Sequence, residues 1–423
     1  RVLLVGLGER KKLDHDAVRR AAGRVSGARG LKSSKSAAFC LVGSDDPCLY
    51  HAAIEGYLLG SYKLLEFKSE QKPEDITHLV NITFIVRNRS RLRAIRAAVE
   101  RGRIIAEGQL LVRRLAFLPA NQLTPRLFAE EARRLAKDHR FGCQVLDEKA
   151  IEKEKMGGLL GVARGSTERP RFIILKYNGG RAGARPVVLV GKGVTFDAGG
   201  ISLKQALNMH EMKGDMSGAA AVLGAVVTAA RLKLKLNLVG LIPATENMPS
   251  GSATRPGDVL KTRKGLTVEV INTDAEGRLI LADALDYANT FKPQAVIDIA
   301  TLTGASLYIL GYAGAPVLGN HAGLLQRVKN ASKATAEKVW QLPIWDEHRD
   351  LMKSPIADLK NSAGKPAGTI AASAFLENFI GDWPWLHIDI AYMDLEPEGK
   401  PYTPKGASGF GLRLLVELLS NWK

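Results

Sequence analysis

Short apolar runs alternate along this chain with stretches whose apolar positions return every three to four residues. Residues 2–6 predict a buried strand, residues 14–27 a polar-faced helix and residues 37–42 a second strand. A helix over 51–65 and a strand over 81–86 continue the alternation, which is that of an α/β sheet. From 91 to 117 the apolar positions Ile95, Val99, Ile104, Leu111 and Leu115 keep helical spacing, and Pro119 ends the run. Thr124 followed by Pro125 then reads as a new helix start, with the hydroxyl as cap and proline at the first helical position.

Beyond Pro170 the runs 172–175, 187–190, 236–242, 295–299 and 386–390 are continuously apolar, as strands buried on both faces are. Helical stretches over 217–231 and 279–290 lie between them. The pattern predicts a small N-terminal α/β domain over 1–90, a connecting helix over 91–117 and a larger α/β domain over 118–423 with a mostly parallel central sheet. Functional loops are expected at the carboxyl ends of its strands. A length of 423 residues agrees with more than one domain.

Composition narrows the class. With 46% apolar and 24% charged residues the chain can bury a large core, and its longest nearly apolar stretch, 215–231, falls short of the roughly 20 residues a bilayer span needs. No membrane span is expected. Cys40, Cys48 and Cys143 form no C-x-x-C pair, which argues against a disulfide scaffold or a cysteine zinc site and favours a reducing, cytoplasmic compartment. The net charge of +17 is densest in residues 1–117, which hold 22 Lys and Arg against 12 Asp and Glu. Such a surface attracts polyanions, nucleic acid included, and equally serves solubility. The arginines at 87, 89, 91, 93, 96, 101 and 103 read as a solvated or subunit-facing surface, with a nucleic-acid patch as the alternative.

The chemistry gathers at three places. After the 187–190 run, Lys192 and Asp197 stand on a glycine-flanked loop, 191–200. The spacing is not that of a phosphate loop, since Lys192 is followed by Gly193 and the upstream glycine is absent. Gly6-Leu7-Gly8 likewise lacks the third glycine of a dinucleotide fingerprint, because position 11 is Lys11, and it reads as a tight turn. In the second place, 272–279, an extended backbone would point Asp274, Glu276 and Arg278 the same way; a helix N-terminus lined with acids is the other reading. Third, Lys204 and Asp215 precede the apolar helix at Ser217, where Asp215 could also be a simple cap. Asp197, Asp215, Asp274 and Glu276 together supply oxygens for two divalent ions about 3.5–4 Å apart, a pair suited to hydrolysis. Other hydrolase patterns are missing: His210-Glu211 has Gly214 where a zinc H-E-x-x-H needs histidine, and the 406–410 stretch ends in Phe410 rather than completing G-x-S-x-G.

These residues carry a resemblance. NTDAEGRL at 272–279 resembles the signature of the leucine aminopeptidases, the dinuclear cytosol aminopeptidase family. The likeness extends through VGKGVTFDAGGISLK at 190–204, MKGDMSGAAAV at 212–222, GLIPATENMPSG at 240–251, DIATLTGA at 298–305, IADLKN at 356–361 and PKGASGFGLRLL at 404–415. It covers the chain from Leu115 onward and is looser before it.

The resemblance implies a macro-like N-terminal domain, here truncated at its start, and a homohexamer. It implies that Lys192, Asp197, Asp215 and Glu276 ligate a tightly held ion, and Asp197, Asp274 and Glu276 a more exchangeable one, Mn²⁺ or Zn²⁺ with Mg²⁺ or Co²⁺ as further options. A lysine ligand must be neutral, so its ammonium has to be depressed by the cations. Lys204 is implied as the oxyanion stabiliser and Arg278 as the holder of a bicarbonate proton shuttle. Met212, Thr301, Gly304 and Ala391 are implied as an apolar pocket for leucine or methionine side chains of peptides with a free N-terminus, although Met212 also reads as core filler. Tyr392-Met393-Asp394 departs from the small residues usual there, which bears on substrate preference. An aminopeptidase is therefore expected, with DNA binding through the basic N-terminal region, or catalytic silence, as the alternatives.

Overall fold

The computed structural model describes residues 2–9, 11, 13–28, 34–41, 43–70 and 81–422. The chain divides into two compact units, Arg1–Arg114 with Leu395–Ser408, and Leu115–Asp394 with Gly409–Lys423.

In the first unit the helices His15–Ser26 and Pro47–Gly60 pack on one another. Asp14 caps the first by accepting from the Ala17 N–H at 2.6 Å, and Asp46 caps the second by accepting from Cys48 at 3.0 Å, with Pro47 opening it. Arg19 crosses between them to Glu55 at 2.5 Å, both side chains buried. Strands β1 (Ser36–Cys40) and β2 (Asn81–Ile85) pair in parallel, Ser36 opposite Asn81. The anticipated 37–42 strand is thus β1 shifted by one residue at its start, with position 42 outside the described residues. Residues 2–6 are not a strand: Val2 and Leu4 are each 89% exposed, and among the described residues no strand pairs with them. Apolar composition alone does not make a strand when no neighbour completes its hydrogen bonds. The long helix Leu92–Phe117 follows. Its Arg113 is fully buried and donates to the carbonyls of Leu59, Tyr402 and Ser408 at 2.8 Å each, and Gln109 donates to Ser408 as well. These bonds fasten Leu395–Ser408 into the first unit, whereas the sequence pattern places that segment in the domain 118–423.

The second unit is built on one sheet. Its strands are β3 (Gly142–Leu146), β4 (Arg171–Asn178), β5 (Val187–Gly191), β6 (Gly193–Asp197) and β7 (Asn237–Asn247). After the short β8 (Val259–Lys261) and β9 (Thr267–Glu269) come β10 (Ala295–Ala300), β11 (Ala315–Gly319), β12 (Val339–Gln341), the short β13 (Leu359–Lys360) and β14 (Trp385–Asp389). The large sheet runs β12-β11-β14-β10-β5-β7-β4-β3, with β6 also on β7, while β13, β9 and β8 form a small sheet of their own. The centre, β14-β10-β5-β7, is parallel, whereas β4 runs antiparallel to β7 and to β3, and β11 antiparallel to β14. β6 on β7 and β12 on β11 are parallel as well, so most of the pairings are parallel and the antiparallel ones lie outside the centre.

Val187 to Gly191 and Ala295 to Ala300 are buried at every position, which explains their unbroken apolar runs. One layer packed on this sheet holds Leu281, Leu285, Phe375 and Phe379 against Val188, Val190 and Trp385. The helix Ser217–Leu232 is buried from Ser217 through Ala229. The longer stretch Met209–Leu232 is long and apolar enough to cross a bilayer, but 83% of its most apolar window is buried inside the protein, as in a core helix.

Candidate active site

The site lies at the carboxyl ends of the central strands, where a parallel sheet leaves loops free to converge. Strands β5 and β6 form one run along β7, interrupted at Lys192: Val190 pairs with Leu241 and Gly193 with Ala244. Strict alternation would send Lys192 and Asp197, five residues apart, to opposite faces. The register slips by one between Val194 and Phe196, and the extra residue returns Asp197 to the side of Lys192.

Three further segments complete the cluster. Asp215 follows the turn Met209–Gly214, just before the helix Ser217–Leu232. Lys204 stands on the loop after β6, its backbone N–H donating to Ala198 at 2.9 Å. Asp274 and Glu276 come from the segment before the helix Gly277–Ala288, and that segment is not extended. Asn272 accepts the Asp274 N–H on its side chain at 2.9 Å and the Ala275 N–H on its carbonyl at 3.1 Å, which closes a turn. Asp274 and Glu276 still reach the cluster, but Arg278, on the helix, donates to the Asn361 carbonyl at 2.7 Å.

Lys192 Nζ lies 2.8 Å from Asp215 Oδ2 and 2.8 Å from Glu276 Oε1, and donates to the Thr301 carbonyl at 2.8 Å. Lys204 Nζ lies 2.9 Å from Asp197 Oδ2 and 2.5 Å from Asp274 Oδ1. The outer oxygens are fixed by neutral donors: Thr301 Oγ1 to Asp215 Oδ1 at 2.7 Å, and Asn247 Nδ2 and the Gly199 N–H to Asp197 Oδ1 at 2.8 and 2.9 Å.

Burial raises Asp215, Asp274 and Glu276 above the usual carboxylate range, and the neighbouring carboxylates add to the effect for all three. Burial works the other way on Lys192 and Lys204, but the surrounding carboxylates outweigh it and raise both. Lys204 is thereby held firmly as an ammonium. Arg278 is lowered to about 10 by burial, and its buried Nε has no hydrogen-bond partner among the described residues.

The donor set fits divalent ions. Asp197, Asp215 and Glu276 bring carboxylate oxygens within 4.8 Å of one another while all three residues are buried, a concentration of like charge that needs cations. Glu276 Oε2 faces no donor among the described residues. Oxygen donors with one amine suit hard or borderline ions. A second group with ligand spacing, His15, Asp46 and Cys48, is exposed and sits at two helix N-termini, whose positive ends oppose a cation.

Thr301, Gly304 and Ala391 are gathered beside the cluster. Asp389 accepts from the Leu302 and Ala391 N–H groups at 3.1 and 3.2 Å and from Thr303 Oγ1 at 2.6 Å, and Ser306 Oγ donates to the Ala391 carbonyl at 3.2 Å. Met212 is on the turn that delivers Asp215, whose N–H it accepts at 3.3 Å. Asn247, Asn361 and Asp389 carry no role in the sequence reading. Asn361 braces the 271–276 turn, accepting from Ile271 at 2.8 Å and donating to the Asn272 carbonyl at 2.7 Å. The available signal was a polar residue ending an apolar strand for Asn247 and Asp389, and the last letter of IADLKN for Asn361.

Comparison with known proteins adds to this geometry. The model of the cytosol aminopeptidase family, catalytic domain, matches residues 110–416, and that of the family's N-terminal domain matches residues 1–71. A probable cytosol aminopeptidase of Syntrophotalea carbinolica is 47% identical over 426 residues, covering 99% of this chain and 85% of the relative. One from Roseiflexus castenholzii is 48% identical over 428 residues, covering 100% and 87%. Among solved structures, the bottromycin maturation enzyme BotP in complex with Mn aligns with a TM-score of 0.90 at 36% identity, over 98% of this chain and 89% of that one. The chain belongs to the cytosol aminopeptidase family, whose members are metal-dependent aminopeptidases.

Proposed function

We propose that the chain is a leucyl aminopeptidase, releasing leucine and other apolar residues from peptides with a free N-terminus. The observation that carries the reading is the convergence of Asp197, Asp215, Asp274 and Glu276, from separate segments, on Lys192 and Lys204. Lys192, Asp197, Asp215 and Glu276 would hold one divalent ion, and Asp197, Asp274 and Glu276 a second. Bound there, two such ions would supply an acidified water nucleophile and would polarise the scissile carbonyl. Mn²⁺ is favoured by the Mn complex of BotP, with Zn²⁺, Mg²⁺ and Co²⁺ as further candidates.

This chain's own groups supply the rest. Lys192 donates as a neutral amine once cations oppose its proton. Lys204, kept charged by Asp197 and Asp274, stabilises the oxyanion that develops on the substrate carbonyl. Arg278, buried and with no partner for its Nε among the described residues, would hold a bicarbonate ion, which would supply a proton relay beside the leaving amine. Met212, Thr301, Gly304 and Ala391 receive the N-terminal side chain. The reading includes a cytoplasmic location and a homohexamer. A nucleic-acid role is less favoured because several basic groups are already engaged, Arg19 with Glu55, Arg103 with Glu100 and Glu107, and Arg114 with Glu66.

Hydrolysis of leucyl-p-nitroanilide after chelation, and again after adding back each ion, tests the proposal. Glu276→Ala is expected to lose metal and activity together, and retained turnover in that variant overturns it. Lys204→Ala is expected to keep its metals while kcat falls about 100- to 1,000-fold.

A further inference from the structure

Tyr392 follows Ala391 with φ +65, in the left-handed region that a bulky side chain seldom adopts. Strain of this kind persists only where the surroundings over-determine it, and here they do. Asp389 grips the Ala391 N–H together with Leu302 and Thr303, so the chain entering Tyr392 is bonded to the loop that bears Gly304. The conformation brings the phenol to Gly304: a Cβ on Gly304 would lie 3.8 Å from Tyr392 Oη, and among the described residues beyond its chain neighbours no other heavy atom comes within 4 Å of that point. Tyr312 packs edge-on behind Tyr392, with centroids 6.0 Å apart at 87°. Tyr392 as a whole is 36% exposed, and its phenol lies within electrostatic reach of the Lys204 ammonium.

We propose that Tyr392, backed by Tyr312, is a specificity-determining residue that closes the Gly304 side of the substrate pocket and excludes wide N-terminal side chains. The inference rests on the aminopeptidase reading and deepens it. A carbon at the Cβ position of Gly304 would already touch the phenol oxygen, so this side of the pocket is closed to anything wider, indole and phenyl rings included. Selection of this kind is a ratio of kcat/KM values and is steep where a rigid wall must move.

The test compares tryptophanyl- with leucyl-p-nitroanilide on Mn²⁺-loaded wild type, Tyr392→Gly and Tyr392→Phe. Glycine is the residue this backbone favours, so Tyr392→Gly is expected to fold with a Tm no lower than wild type. Its tryptophanyl-to-leucyl ratio of kcat/KM is expected to rise at least tenfold, while Tyr392→Phe, which keeps the ring but removes the oxygen facing Gly304, is expected to fall between wild type and Tyr392→Gly. A ratio within threefold of wild type in folded Tyr392→Gly overturns the proposal. If wild type cleaves neither substrate with any ion, the aminopeptidase reading fails on its own. The wall is then judged by calorimetric binding of L-tryptophan amide and L-leucine amide to the same Mn²⁺-loaded proteins, where the same tenfold and threefold limits apply to the affinity ratio.

Discussion

Gly277 lacks a side chain at the point where Lys192 needs room: a Cβ there would lie 2.8 Å from both Nζ and Cε of Lys192. The glycine of the NTDAEGRL segment thus shapes the site without touching an ion, by leaving space for the amine beside Glu276. Gly277→Ala is expected to weaken divalent metal binding about 10- to 100-fold, as loss of a supporting group does, with the fold intact because alanine suits a first helical turn. Titration against a competing chelator reads this directly. An unchanged affinity shows that Lys192 can shift without consequence. At Tyr392 the same attention to single backbones applies in reverse, since its left-handed conformation costs about 1–3 kcal/mol.

At the scale of elements, the helix Gly277–Ala288 carries the site on its first turn and is held from behind by Asp283. That carboxylate is fully buried and accepts from the Leu159 N–H at 2.9 Å and the Arg263 N–H at 2.8 Å. Asp283→Ala orphans both donors and is expected to cost about 2–4 kcal/mol, seen as a lower Tm. Burial also raises Asp283 to about 7, above its unfolded value of 3.8. Its protonated form is therefore favoured by folding, and the contribution is full below about pH 4 and lost as pH rises through 7. Wild-type Tm should carry that decline and Asp283→Ala should lack it; identical pH slopes refute the assignment. Much at this scale was legible in the sequence. Helix starts at Thr124 and strand cores such as 187–190 follow from caps and apolar runs, which are local. Of the two readings of 272–279 the structure has the helix N-terminus lined with acids, reached through a turn closed by Asn272, and not the extended backbone. The brace from Asn361 arrives from 89 residues away, beyond any local pattern. The slip at Thr195 is likewise set by pairing with β7, about 50 residues on.

For the whole molecule, the buried carboxylates link folding, metal and pH. An ion bound only by the folded chain stabilises it, by about 2.7 kcal/mol at one hundred times its Kd. Saturating Mn²⁺ is expected to raise the Tm of wild type and leave that of Glu276→Ala unmoved, as calorimetry can show. Because Asp215, Asp274 and Glu276 are raised by burial, protons compete for the same oxygens, and the metal concentration for half-maximal activity should climb as the medium is acidified. A flat requirement between neutral and mildly acid solution counts against these ligands. The register slip between Val194 and Phe196 has a further consequence, for heredity. Loss of the single codon for Thr195 would leave every acidic letter of the signature in order while turning Asp197 to the wrong side of the strand. The letters around the site would look unaltered while Asp197 no longer shared a side with Lys192, so the parity of this strand matters as much as its spelling.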